Sequence, residues 1–151
     1  MFGEKIHPIG SLTIEVKDAT GNTKEVREVK NLIVNGGLAL LASRLKDASS
    51  TVPSHMAVGT GTAAAVGSQT ALVAESARVA FSNANLVTTN VTADSLQYVA
   101  TFGAGVATGT LTEAGLFNAA TSGTLFSRTV FAAINKTASD SVTITWKIVV
   151  A

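Results

Sequence analysis

The chain has 151 residues, 46% of them hydrophobic and only 14% charged, with a net charge of +1 and no cysteine. That length suits one domain with its own core. The charge balance gives no broad electrostatic case for direct nucleic-acid or anionic-membrane binding, and the lack of cysteine excludes disulfides and thiol chemistry.

A soluble domain usually carries about 25% charged residues, and here the deficit is uneven. Residues 1–47 hold Glu4, Lys5, Glu15, Lys17, Asp18, Lys24, Glu25, Arg27, Glu28, Lys30, Arg44, Lys46 and Asp47. Beyond them stand only Glu75, Arg78, Asp94, Glu113, Arg128, Lys136, Asp140 and Lys147. A free monomer uses charge to stay soluble, whereas interface cores are depleted of it. The pattern therefore points to a surface covered by other subunits, against the plainer alternative of a sheet solvated by Thr and Ser hydroxyls.

Residues 1–10 (MFGEKIHPIG) have no apolar run of signal-peptide length and are set apart as an N-terminal arm from a single β-rich domain over 11–151. In 11–17, Leu12, Ile14 and Val16 alternate with Thr13, Glu15 and Lys17, the period of a half-buried strand. Asp18 to Asn22 reads as a turn and 23–34 as the returning strand of a hairpin. The period then changes. Leu38, Leu41, Ala42 and Leu45 fall on one helical face, and Arg44 and Lys46 suit the negative end of a helix dipole, so a short helix is predicted over 36–46 and its leucines are expected to pack on a sheet.

A loop at 47–54 and a short strand at 55–58 lead into 59–71, GTGTAAAVGSQTA, a long link of small residues. Such length inside a compact domain marks a binding or packing segment, or else a disordered tip. The rest reads as β: a short strand at 78–81, a hairpin of 86–92 and 96–102 around residues 93–95, a small-residue link over 103–109, a hairpin of 110–117 and 124–131, and a last strand at 141–150. In that last strand Val142, Ile144, Trp146, Ile148 and Val150 share a face, which makes Trp146 a core residue. In the strand before it, Phe126, Arg128 and Val130 are expected on one face and Leu125, Ser127, Thr129 and Phe131 on the other. The predicted fold is mainly β: a single-domain antiparallel β-sandwich or jelly-roll-like barrel with one added helix. No stretch approaches the roughly 18 apolar residues of a membrane helix. The helix-like segment and the long Gly/Ala links break the strand repeat of a membrane barrel, so no membrane partner is expected.

Catalytic chemistry is hard to assemble from this inventory. The histidines His7 and His55 lie in different segments, without the converging carboxylates or thiolates of a metal site. No serine sits in G-x-S-x-G. The VGTGT run at 58–62 lacks the Lys-Ser or Lys-Thr of a P-loop. No catalytic residue, metal or cofactor is expected. Asp94 and Asp140 read as turn acids, whereas Glu113 stands in the apolar stretch TLTEAGLF. A partly buried pair of Glu113 with Arg128 or with Arg78 is expected there, in a structural or interfacial role rather than a catalytic one. Gly59, Thr60, Gly61, Thr62, Gly103, Gly105 and Gly109 are the candidate contact positions between subunits, where small residues allow close backbone approach.

Four phrases, VKNLIVNGGLALLASRL (29–45), HMAVGTGTAAAVGSQTAL (55–72), TFGAGVATGTLTEAGLFNA (101–119) and NKTASDSVTITWKIVV (135–150), resemble a group of small structural proteins of tailed-phage particles. The TEAGLFN and ITW segments are also similar to patterns in tail-fibre and baseplate-associated proteins. None is a catalytic motif. The resemblance implies a non-enzymatic virion protein, made in the host cytoplasm and carried on the particle. Its partners would be the major capsid protein or tail proteins. Apart from the resemblance, composition and the closed symmetry usual for repeated subunits point to a homo-oligomer, a trimer ahead of a dimer. A decoration protein bridging capsid subunits is the first expectation, and a tail or collar appendage or fibre-anchoring module the second. A carbohydrate-binding module, whose aromatic groove would have to come from Tyr98 and Trp146, ranks behind both.

Overall fold

The computed structural model describes residues 7–150. The chain runs β1 (Ile9–Lys17), β2 (Thr23–Ile33), α1 (Asn35–Lys46), β3 (His55–Gly59), β4 (Glu75–Ala80), β5 (Asn83–Val87), β6 (Ser95–Phe102), β7 (Gly109–Phe117), β8 (Leu125–Lys136) and β9 (Ser141–Val149). Of the expected arm, residues 1–6 lie outside the described residues, while Ile9 and Gly10 already belong to β1.

All pairings are antiparallel, in the order β4-β3-β7-β8-β2-β1-β9-β6-β5. The two end strands, β4 and β5, are consecutive in the chain and joined only by Phe81 and Ser82. The Phe81 N–H donates to the Ser54 carbonyl at 2.9 Å, the Ser82 N–H donates to the Val99 carbonyl at 2.8 Å, and the Phe81 ring stacks on Tyr98. The sheet therefore curls back on itself as a half-barrel, the single-domain β fold that the strand pattern predicts.

On the opposite side the curl is held by a seam. β2 and β8 share backbone pairing only at Leu32–Arg128 and Ile33–Ser127. Beyond that the strands part, and side chains bridge them: Ser127 Oγ donates to the Leu32 carbonyl at 2.9 Å, Thr129 Oγ1 to the Lys30 carbonyl at 2.7 Å, and the Arg27 guanidinium to the Ala132 carbonyl. Hydroxyl and guanidinium donors thus satisfy carbonyls that a ladder would otherwise satisfy.

Period-two alternation explains the core. Leu12, Ile14 and Val16 of β1 meet Val142, Ile144, Trp146 and Ile148 of β9 and Tyr98, Ala100 and Phe102 of β6, all buried in one cluster. Trp146 is fully buried, and its Nε1 has no hydrogen-bond partner. The Tyr98 phenol is pushed up to about 12 by burial.

Three local expectations are corrected. First, α1 docks through Gly37 and Leu40, with Leu41 packed at the margin of the main core, and not through Leu38, Ala42 and Leu45. Leu38, Ala42 and Leu45 are exposed, and only Leu41 is partly covered. Gly37 sets this rotation, because a Cβ there would stand 2.1 Å from the Phe126 carbonyl oxygen, so only glycine lets the helix lie this close to β8. Second, the strand expected at 86–92 is Asn83–Val87. The Asp94 carboxylate accepts the N–H groups of Thr89, Asn90 and Val91 and draws the following residues into a turn. Third, the parity of β8 breaks. Phe117 pairs with Leu125 and Leu116 with Ser127, leaving Phe126 as a bulged residue. Phe126 joins the main core, while Leu125 packs with Phe117, Val34, Ala57 and Leu72 in a second, smaller cluster.

Candidate functional site

That smaller cluster lies under the small-residue link, residues 60–74, which connects β3 to β4 and lies against β7 and β8. Every residue of Leu111–Phe117 is buried, so β7 is covered on both faces. At the centre are Glu113 and Arg128, both side chains fully buried and 2.8 Å apart. Arg128 gives two donors to one carboxylate oxygen, Nε at 3.0 Å and Nη2 at 2.8 Å to Oε2. The link supplies the rest: the N–H groups of Gly61 (3.0 Å) and Ala74 (2.7 Å) reach Oε1, and that of Val73 (3.0 Å) reaches Oε2.

The guanidinium is spent in the same way. Its Nη1 donates to the Ala63 carbonyl at 2.9 Å and to Gln69 Oε1 at 3.0 Å. Gln69 Oε1 in turn accepts the Val66 N–H, and Thr112 Oγ1 donates to the Gly61 carbonyl. Burial by itself would raise the Glu113 pKa. The Ala74 and Val73 N–H groups, Arg128 and the Gly61 N–H outweigh it, and the carboxyl is held below its ordinary value. Both charges are thereby turned inward on the link, and neither carboxylate oxygen has a face open to a substrate.

Arg78, the other partner considered for Glu113, lies elsewhere. It pairs with Glu75 at 2.7 Å, donates to the Ala119 and Ser122 carbonyls and sits over the Phe117 ring, 3.6 Å from its centroid. Gly59 and Gly61 have a use inside the chain. A Cβ at Gly59 would meet the Ala74 carbonyl oxygen at 2.2 Å, and one at Gly61 would meet Glu113 Oε1 at 2.5 Å. The backbone approach expected between subunits at these two positions is made by the chain's own link. Thr60 and Thr62 are exposed. Gly103, Gly105 and Gly109 have open space where a Cβ would stand, and Gly105 and Gly109 take positive φ, at 75° and 124°.

A second polar cluster, which no local pattern predicts, stands at the turn from β8 to β9. Lys136 is buried and donates to the Gly103 carbonyl at 2.9 Å. Asp140, also buried, accepts the Lys24 ammonium at 2.8 Å and the Thr137 N–H at 2.9 Å. The Lys24 hydrogen bond, then that of Thr137, brings the Asp140 carboxyl down to about 2. Burial lowers the Lys136 pKa, and the charge of Asp140 opposes part of that. The contact joins β2 to the β8–β9 turn over a separation in sequence of 116 residues.

His7 is exposed. His55 is half-buried, with its Nδ1 2.8 Å from Ser54 Oγ. Among the described residues no three His, Asp or Glu side chains converge as a metal site, and no helix is long and apolar enough to cross a membrane. Comparison with known protein families, with curated proteins and with solved structures found no match.

Proposed function

We propose that this chain is a non-enzymatic structural protein of a tailed-phage particle, held in place by contacts with neighbouring subunits over its uncharged surface. The observation that carries the reading is where the charges beyond Asp47 go. Glu113, Arg128, Lys136 and Asp140 are buried, Glu75 and Arg78 are paired, and the Asp94 carboxylate is filled by N–H groups of its own turn. In that region Lys147 is the one charge with no ion-pair or hydrogen-bond partner among the described residues. The same stretch exposes Val52, Val66, Val73, Leu86, Val91 and Val106. A surface of this kind is matched to apolar and hydroxyl contacts with other proteins and poorly matched to a free life in water.

The four phrases that resemble phage structural proteins supply the setting. Capsid decoration, bridging major capsid subunits on the outside of the particle, is the first reading. Small size, one domain and the absence of a fibrous repeat in the sequence favour it. The likeness of the TEAGLFN and ITW segments to tail-associated proteins favours a tail or collar appendage or fibre anchor. In this fold, however, those segments supply Glu113 and Trp146, both buried, so the likeness concerns the scaffold more than the docking surface. Quantitative mass spectrometry of purified particles, with the major capsid protein as reference, separates the two. Near-stoichiometric copies support decoration, a dozen or fewer move the protein to the tail, and absence from the particle overturns the proposal.

A further inference from the structure

We infer that β5 is the strand through which two copies of this chain join, edge to edge and antiparallel, about an axis at Asn85. The inference stands on the geometry of β5 and does not depend on the phage reading. Among the described residues β5 ends the sheet, and Asn83, Ala84, Asn85 and Leu86 are exposed. An end strand presents a row of unpaired N–H and C=O groups, and natural proteins usually guard it with charge, proline, a bulge or a covering element. β5 has no such charge or break: residues 79–93 contain no charged residue and no proline, and its register with β6 is unbroken. The opposite end strand, β4, is guarded. It carries the Glu75–Arg78 ion pair, and its register against β3 shifts at Gly59.

Self-complementarity identifies the occupant. Antiparallel pairing of two β5 strands about Asn85 sets Asn85 against Asn85, Asn83 against Val87 and Ala84 against Leu86, with no like charges opposed. Leu86 is 65% exposed, although it ends an apolar row in register with Leu96 and Ile148, the latter fully buried. The partner's Ala84 is the next member of that row, a small side chain beside a large one, and pairing would cover Leu86. An isologous contact of this kind closes as a dimer, where composition alone put a trimer ahead. A five-residue edge buries less than about 1,200 Å² and so gives a transient dimer in free solution. Copies held side by side would keep it at high effective concentration.

The chain has no cysteine, so single replacements report cleanly. Partner Cα atoms in an antiparallel pair lie about 4.5–5.5 Å apart, within the range a disulfide spans. Full-length Asn85→Cys protein is oxidised with glutathione and its covalent dimer measured on non-reducing gels. Thr121→Cys, on an exposed loop, is the collision control. The expected result is several-fold more dimer for Asn85→Cys, returning to the control level when Leu86→Lys is added and places two lysines beside the axis. Trapping at the control level, or trapping that Leu86→Lys leaves unchanged, overturns the inference.

Discussion

Glu113 and Arg128 face each other at 2.8 Å with neither side chain exposed, and between them they bind the backbone of Gly61, Ala63, Val73 and Ala74. The pair thus works as a clasp: a link with few large side chains is held to the sheet by polar bonds in a site that water does not reach. Removing one partner of a buried pair strands the other charge and costs about 3–5 kcal/mol. Glu113→Ala and Arg128→Ala are each expected to lose stability of that order in urea unfolding. The double variant should lose less than the sum, because the second removal relieves a stranded charge. A cycle of Glu113 with Arg78 should show no such coupling. Hydrogen exchange on Glu113→Ala should lose protection first at the Gly61, Val73 and Ala74 amides.

The glycines expected at subunit contacts divide into two kinds. A Cβ at Gly61 would stand 2.5 Å from Glu113 Oε1 and 2.6 Å from Val73 Cβ, whereas one at Gly103 meets nothing within 4 Å. Gly61→Ala is expected to cost about 1–3 kcal/mol through overpacking. Gly103→Ala should be close to neutral or slightly stabilising, since it restricts the unfolded chain without a clash. Thermal melts of the two variants beside the parent protein check both.

The strands were legible because their faces differ. The alternation of Leu12, Ile14 and Val16 with Thr13, Glu15 and Lys17 announces β1, and that of Val142 to Ile148 announces β9. The buried Glu113 was legible as a carboxylate in an apolar stretch that has to find a partner. What escaped the sequence depends on single backbone encounters. The bulge at Phe126 breaks face parity at the start of β8, and the carbonyl of that residue rotates α1 onto Gly37. The choice of Arg128 over Arg78 follows from register, since Arg128 pairs with Gly115 and so sits beside Glu113 on β7. No local pattern carries that information.

Tyr98 gives an alkaline test. It is the chain's single tyrosine, and burial raises its phenol from 10.0 to about 12. A pKa raised on folding means that the folded state holds the proton more tightly. The stability this contributes is complete below the unfolded value and is lost as pH rises through the folded one. Ultraviolet titration of the native protein should show no phenolate until well above pH 10, and denaturant midpoints should fall over the interval from 10 to about 12.

Acid acts through the other cluster. The Lys24 ammonium and the Thr137 N–H bring the Asp140 carboxyl from 3.8 down to about 2. The sign is opposite to that of Tyr98. The folded state prefers the ionised carboxylate, so the contribution is complete above the unfolded pKa and disappears as pH falls from 3.8 through about 2. Glu113, also held below its ordinary value, adds to the same acid-side loss. Asp140→Asn removes the first of these terms, so its melting temperature should be lower than the parent's at neutral pH and should fall less steeply in the acid range. It also leaves the buried Lys136 without the charge that offsets its burial, so the variant's Lys136 should release its proton at a lower pH than in the parent. Melting curves across an acid series read the first effect, and NMR titration of the Lys136 side chain reads the second. A variant that keeps the parent's acid slope would show that the Lys24–Asp140 contact contributes nothing to folding.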